Sequence, residues 1–373
     1  MRGSSSRRGR KVKSVDFEGR GVAVSGSRAG RGVRMPGSHG PRGSVVMSAC
    51  GVARAGASAG WGRRGLWLAV AVVWLCTGGS LRAQLLLPQP SPSQANLWDV
   101  AFSRDGAHGV AVGDYGYIQV TRDSGRTWTI ARSSDQLAFR AVRYVTPSVA
   151  VAAGLWGNVF RSVDSGATWT KVDLGKLQNH ISAMASAGSV LWMAGEKGLL
   201  MRSADQGQTW EHVLSGVDVV LDAIVFGDSL RGWCSSAQGV MLRTTDGGAT
   251  WTRQTTGATL PLLALAAEDG QVCWSAGYNG LLYKTTDGGA TWVRKKAHDA
   301  VYSRIAFDAD GRGWMVGSHG VVVRMNDGGE PWRVFTRVDT QHLRGIAFPS
   351  PGTAVVVGSG GSVVRFDTMK GLD

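Results

Sequence analysis

The sequence predicts an all-β protein, a seven-bladed β-propeller of four-stranded blades. Three observations carry that prediction. The segment Arg122-Asp-Ser-Gly-Arg-Thr-Trp128 returns five times, with its aspartates Asp123, Asp164, Asp205, Asp246, Asp287 and Asp327 spaced 41, 41, 41, 41 and 40 residues apart. Ten residues before each aspartate stands a small residue, Gly113, Gly154, Gly195, Ser236, Gly277 or Gly317, and the marker appears a seventh time as Gly358. A glycine follows each marker by three: Gly116, Gly157, Gly198, Gly239, Gly280, Gly320 and Gly361. Between the markers lie short apolar runs of strand length, the pattern of a propeller array.

The second repeat shows the elements in order. Phe139–Tyr144 reads as strand a, Val149–Ala153 as b, Val159–Val163 as c and Thr168–Val172 as d. The two residues between the paired glycines suit a tight b–c hairpin, because primed turns need positive φ angles that glycine tolerates. The seventh repeat lacks a strand d, since the sequence given ends at Asp373. Counting back 41 residues from Trp128 reaches Leu87. The segment around residues 84–90 is therefore expected to supply the missing outer strand and close the ring, protecting its edges.

The formal net charge of +14 is confined to one end. Fifteen of the 41 basic and two of the 27 acidic residues fall in 1–83, leaving 26 and 25 in the body. Nucleic acid is therefore not the expected partner of the body. Residues 1–46 are Arg/Gly/Ser-rich and cannot bury enough surface to fold. Such a tail can bind RNA, but it stands ahead of an export signal, so translation is expected to start at Met47. Arg54, Arg63 and Arg64 precede the apolar run Leu66 to Cys76, and a cleavage point follows at Ala83. The run is about half of the ~20 residues a spanning helix needs. Residues 47–83 are read as a signal peptide, and 84–373 as an exported, monomeric propeller in the periplasm or an equivalent lumen.

The repeated aspartates read as hairpin supports, accepting hydrogen bonds from turn N–H groups while the adjoining glycine takes a special backbone angle. Six copies around a ring cannot converge on one catalytic or metal centre. Trp128, Trp169, Trp210, Trp251, Trp292 and Trp332 form one column. Trp192, Trp233, Trp274 and Trp314 form another on strand b, and both read as packing between blades. Basic residues recur three before the aspartates, at Arg161, Arg202, Arg243, Lys284, Arg324 and Arg365. They read as locally paired repeat features, or as a basic ring for an acidic partner. Cys234 and Cys273 fall on strand b of adjacent blades, too far apart for a disulfide, and are expected to be free buried thiols.

The motif Asp-x-Gly-x-Thr-Trp is the Asp-box, or BNR repeat. With the Gly-x-x-Gly that precedes it, as in Gly277-Tyr-Asn-Gly280 through Trp292, the body resembles the photosystem II stability/assembly factor family of seven-bladed propellers. The resemblance implies an exported, non-enzymatic protein that assists assembly of a membrane complex. Sialidases share the Asp-box and supply the competing reading, a glycoside hydrolase; a carbohydrate-binding propeller is the third. A sialidase needs an arginine cluster and a Tyr–Glu nucleophile pair, and this chain lacks the Arg-Ile-Pro expected near the first blade. After residue 83 it has only Glu196, Glu211, Glu268 and Glu330. No catalytic residue, cofactor, metal or small-molecule substrate is expected.

The repeats supply their own internal comparison. The b–c tips are Asp114-Tyr115, Leu155-Trp156, Glu196-Lys197, Ala237-Gln238, Tyr278-Asn279, Ser318-His319 and Ser359-Gly360, and they share no chemistry. Near the start of strand a the equivalent residues are Trp98, Arg140, Ser182, Asp222, Leu263, Ser303 and Arg344. Constant architecture with one varied, aromatic-containing face suits a protein-binding platform. Tyr115, Trp156 and Tyr278 are the expected contact aromatics, and Arg140 and Arg344 the polar anchors.

Overall fold

A computed structural model describes residues 88–134, 136–258, 260–295, 297–325, 333–336 and 341–369. These form seven four-stranded antiparallel sheets, the blades of a propeller. The second blade has strand a at Phe139–Tyr144, b at Ala150–Gly154, c at Val159–Ser162 and d at Thr170–Val172. In the seventh, Leu343–Ser350, Thr353–Gly358 and Val363–Asp367 are joined at the outer edge by Pro88–Gln89, which pairs antiparallel with Val363 and Val364. The N-terminal strand thus completes the last blade, as the missing strand d requires. The leader, the expected signal peptide, Glu330, Asp327 and Trp332 lie outside the described residues.

Burial follows position in the blade. Strand b of blade 2 (AVAAG) is wholly buried because it meets a neighbouring blade on each face, whereas strand d (TKV) is mostly exposed. The two tryptophan columns fill the gaps between blades. Trp192 of blade 3 and Trp251 of blade 4 meet edge to face with ring centroids 6.0 Å apart. Cys234 and Cys273 are buried free thiols.

The b–c tips differ from the two-residue primed hairpin. Leu155–Gly157, Glu196–Gly198 and Ser318–Gly320 are single 3-10 turns, and positive φ falls on the second tip residue (Trp156 59°, Lys197 54°, His319 56°) and on the glycine after it. The first glycine of each pair is extended instead. A side chain there would collide with the chain entering strand a: at Gly154 it would overlap the Ala138 carbonyl, and at Gly317 that of Val301. That marker records close approach, not an unusual dihedral angle.

Candidate binding face at the channel mouth

The innermost strands carry a recurring irregularity that aims side chains at the ring axis. In blades 1, 2, 3, 5, 6 and 7 the pairing of strands a and b skips one residue near its start. The skipped residues are Trp98, Arg140, Ser182, Leu263, Ser303 and Arg344. A bulge frees its residue from the ladder and re-aims its side chain. All six, with Asp222 of blade 4, line a cavity of ≈ 470 Å³ on the side of the b–c tips.

Arg140 and Arg344 converge on one ring. Their guanidinium carbons lie 3.5 and 3.7 Å from the ring centroid of Trp98, Arg140 coming from blade 2 and Arg344 from blade 7. Weakly hydrated guanidinium stacks favourably on indole, and the aromatic quadrupole offsets part of the repulsion between the two cations. The Trp98 Nε1–H donates to Asp114 Oδ1 at 2.8 Å, and Asn96 Nδ2 donates to Asp114 Oδ2 at 2.9 Å, fixing the indole plane. Arg140 Nη1 stands 3.8 Å from Asp114, beyond hydrogen-bond reach, and Arg344 Nη2 donates to Ser359 Oγ at 3.4 Å. Burial lowers the pKa of both arginines, Asp114 opposing it in each case.

Of the aromatics predicted to touch a partner, Tyr278 lines this cavity and is 41% exposed. Trp156 stands at its rim, 60% exposed, and packs edge to face on the lining residue His180 with centroids 4.4 Å apart. The Trp156 N–H donates to His180 Nδ1 at 3.0 Å. Tyr115 is equally exposed but does not line the cavity. Missed in the sequence reading were His180, His342 and Arg304, which also line it. Burial lowers the pKa of His342, with Arg344 and His319 adding to the effect.

Next to Trp98 on the innermost strand of blade 1, Asp99 is 2% exposed. Its Oδ2 accepts from Arg143 Nη1 at 2.7 Å and the Val142 N–H at 3.1 Å, while Arg304 Nη2 meets Oδ1 at 2.6 Å. A second cavity of ≈ 420 Å³ lies on the other side, and Arg304 is the one described residue that lines both.

The repeated aspartates spend their lone pairs on their own hairpins. Asp123 Oδ1 accepts from the N–H groups of Arg126 (3.0 Å) and Thr127 (2.9 Å), and Oδ2 from the Thr127 hydroxyl (2.6 Å). Thr121, two residues earlier, donates to Asp123 and accepts from the Gly125 N–H. At Asp246 the Thr250 hydroxyl and N–H hold the carboxyl down to about 2. At Asp123 and Asp205 partial burial opposes the shift, yet the equivalent donors, Thr127 and Thr209, still bring each carboxyl to about 2.

Several members of the basic row are also locally committed. Arg161 Nε donates to Gln206 O in the next blade's hairpin at 2.9 Å, and Arg365 Nε to Ser124 O at 3.1 Å. Arg202 pairs with Glu211, and Lys284 with Glu268 while lying over Trp274. Glu196, the remaining described glutamate, accepts the His180 N–H at 3.0 Å. Among the described residues no group of three or more His, Cys, Asp or Glu is placed to hold a metal ion.

Comparison with known proteins agrees with the architecture. Residues 254–326, from the last strand of blade 4 into blade 6, match the family model for photosynthesis system II assembly factor YCF48. No curated protein matches the chain. A structure of YCF48 bound to D1 peptide superposes with a TM-score of 0.66 at 20% identity, covering 78% of this chain and 97% of that one. YCF48 from Cyanidioschyzon merolae gives 0.64 at 20% identity, covering 77% and 99%. The WD40 β-propeller domain of Doa1 gives 0.65 at 14% identity, covering 77% and 97%. The resemblance read from the repeats is thus met by an independent match, and at these identities the structural likeness is one of fold.

Proposed function

We propose that this propeller is a non-enzymatic, exported scaffold that holds a protein partner on its b–c face, in the service of a membrane or envelope complex. The observation that carries the reading is the Arg140–Trp98–Arg344 stack, set in a cavity bordered by the exposed rings of Trp156 and Tyr278. Aromatic and arginine anchors beside a concavity are what binding hot spots are made of. The likeness to a YCF48 structure bound to D1 peptide supports a peptide or protein ligand over a sugar. Export with cleavage near Ala83 follows from the Arg-flanked apolar run, and a monomer suffices for the face described.

The test is affinity capture from membranes by the mature protein, comparing wild type with Trp156→Ala/Tyr278→Ala. The proposal expects one or more membrane proteins to be retained by the wild type and lost from the double variant. Equal recovery by both would remove the b–c face as the binding surface. Turnover of a fluorogenic sialoside, abolished by changing one acidic residue, would replace the scaffold with an enzyme. A glycan-array signal lost in Trp156→Ala would replace it with a lectin.

A further inference from the structure

The two sides of the channel mouth carry opposite charge. Arg344, Trp98 and Arg140 stand on blades 7, 1 and 2, and blade 4, across the ring from them, brings Asp222 to the same cavity. Glu196 joins it from blade 3. We infer that this second pole is a cation site: a basic side chain of the partner segment seats against Asp222 and Glu196, flanked by the exposed rings of Trp156 and Tyr278. The inference rests on the partner-binding reading above and gives the partner one of its side chains, at a place separate from the arginine stack.

Unspent charge is the first argument. Asp222 Oδ2 accepts the Ala237 N–H, while Oδ1 has no donor among the described residues. Burial raises the Asp222 pKa, opposed by that one hydrogen bond and by no cation. Glu196 Oε2 accepts the His180 N–H, and the one described base within 4 Å of Oε1 is His180 Nε2, at 3.7 Å. His180 Nδ1 accepts the Trp156 N–H, so that ring holds its proton on Nε2 and is uncharged in this arrangement. The arginines differ: Asp114 lies beside Arg140 and Arg344, and Asp99 binds Arg304. A partly desolvated carboxylate without a counter-charge is stabilised by an arriving cation.

Free aromatic faces are the second. Trp98 already carries two guanidinium groups. Among the described residues no cation of the chain lies over Trp156 or Tyr278, although both rings are exposed, at 60% and 41%. They belong to blades 2 and 5, on either side of the two acids, so the four side chains come from consecutive blades. Indole and phenol faces attract ammonium and guanidinium groups, and carboxylates beside them add the opposite charge.

The third is the departure of blade 4 from the repeat. Asp222 is the one acid among the seven equivalent positions near the start of strand a, and Ser236 is the one first marker that is not glycine. Strand a of this blade pairs without the skipped residue of the other six, and the Asp222 N–H donates to Ser235 O. Backbone groups thus hold Asp222 at both its amide and its carboxylate. Leu155, Ile181 and Val220 supply apolar lining from the same side for the aliphatic stem of a lysine or arginine.

Three acetylated and amidated tetrapeptides test the site in calorimetric titrations of the purified protein: Ala-Leu-Ala-Lys, Ala-Leu-Ala-Arg and Ala-Leu-Ala-Gln. We expect at least one basic peptide to bind about tenfold or more tighter than the glutamine peptide. The tighter of the two identifies the group as an ammonium or a guanidinium. Asp222→Asn keeps an acceptor for Ala237 and is expected to abolish the preference while melting no lower than the wild type. Glu196→Gln keeps an acceptor for His180 and is expected to remove part of it. If Asp222→Asn does not fold, Glu196→Gln/Tyr278→Leu is expected to abolish the preference instead. Equal binding of all three peptides, binding of none, or a basic preference untouched by these changes would overturn the inference. Membrane capture that depends on Trp156 and Tyr278 but shows no basic preference overturns this inference alone. Basic-peptide binding by a protein that captures no partner overturns the scaffold reading and leaves the cation site standing.

Discussion

Asp99 and Arg304 meet at 2.6 Å although they stand on blades 1 and 6, with blade 7 between them. Blade 7 presents Gly345 at the equivalent position, where a side chain would lie 3.1 Å from the Asp99 Cα, so its inner strand packs directly on that of blade 1. One carboxylate thereby serves as the shared counter-charge of two guanidinium groups, those of Arg304 and Arg143.

This arrangement predicts an asymmetric pair of variants. Asp99 is itself buried, and Asp99→Asn leaves two half-buried guanidinium groups without their shared counter-charge, so it should cost about 3 kcal/mol, the low end of the range for breaking a buried ion pair. Arg304→Met leaves Asp99 with Arg143 and should cost less. The double variant should be less destabilised than the sum of the singles, as chemical denaturation of all four proteins would show. Additive losses would mean that the two residues do not interact.

The aspartate hairpins set the acid limit of stability. Asp123, Asp205 and Asp246 have folded-state pKa values of about 2, below the ~3.9 of an unfolded aspartate. Because the folded value is the depressed one, their contribution is fully present above about pH 4 and is lost as pH falls through about 2. Urea midpoints measured from pH 5 to pH 2 should fall in that window, and Asp246→Asn should fall less steeply.

Much of this was legible before the structure, and the reason is repetition. Blade number, the Asp-box hairpins and the outer strand at Pro88–Gln89 follow from spacing alone, because each repeat must solve the same packing problem. What escaped was a contact between non-adjacent blades. Its trace is present in the sequence: the row Asp99, Ala141, Ala183, Ala223, Ala264, Arg304, Gly345 carries two opposite charges in a line of small residues. Pairing them needed the curvature of the ring, which periodicity does not report. The same holds for His180 and His342, which precede strand a and reach the cavity only because the strands converge.

Tip strain is separable from tip function at Trp156. Its φ of 59° lies in a region that costs a residue with a Cβ about 1–2 kcal/mol. Trp156→Gly should therefore melt no lower than wild type, or slightly higher, despite losing the His180 contact, while partner capture falls. A clear drop in melting temperature would show that the ring is a structural element.

Closure of the ring is tested at Gly361. It has φ 70°, and a side chain there would overlap the Ser93 carbonyl on the segment leading from the outer strand into blade 1. Gly361→Ala should destabilise the protein by more than Gly188→Ala, which shares a positive φ (60°) but has open space around it and should cost about 1 kcal/mol. Equal melting temperatures for the two variants would mean that the seam between blades 7 and 1 tolerates separation.

The central claim is that a partner docks on the b–c face around the channel mouth. Site-specific photocrosslinking in native membranes addresses it most directly, with a benzophenone side chain at Tyr278 and, on the opposite face, at Gln208 of an Asp-box hairpin. The account predicts a discrete protein adduct from position 278 that disappears in the Arg140→Ala/Arg344→Ala background, and none from 208. An adduct from 208 alone, or one from 278 that survives loss of both arginines, would contradict it.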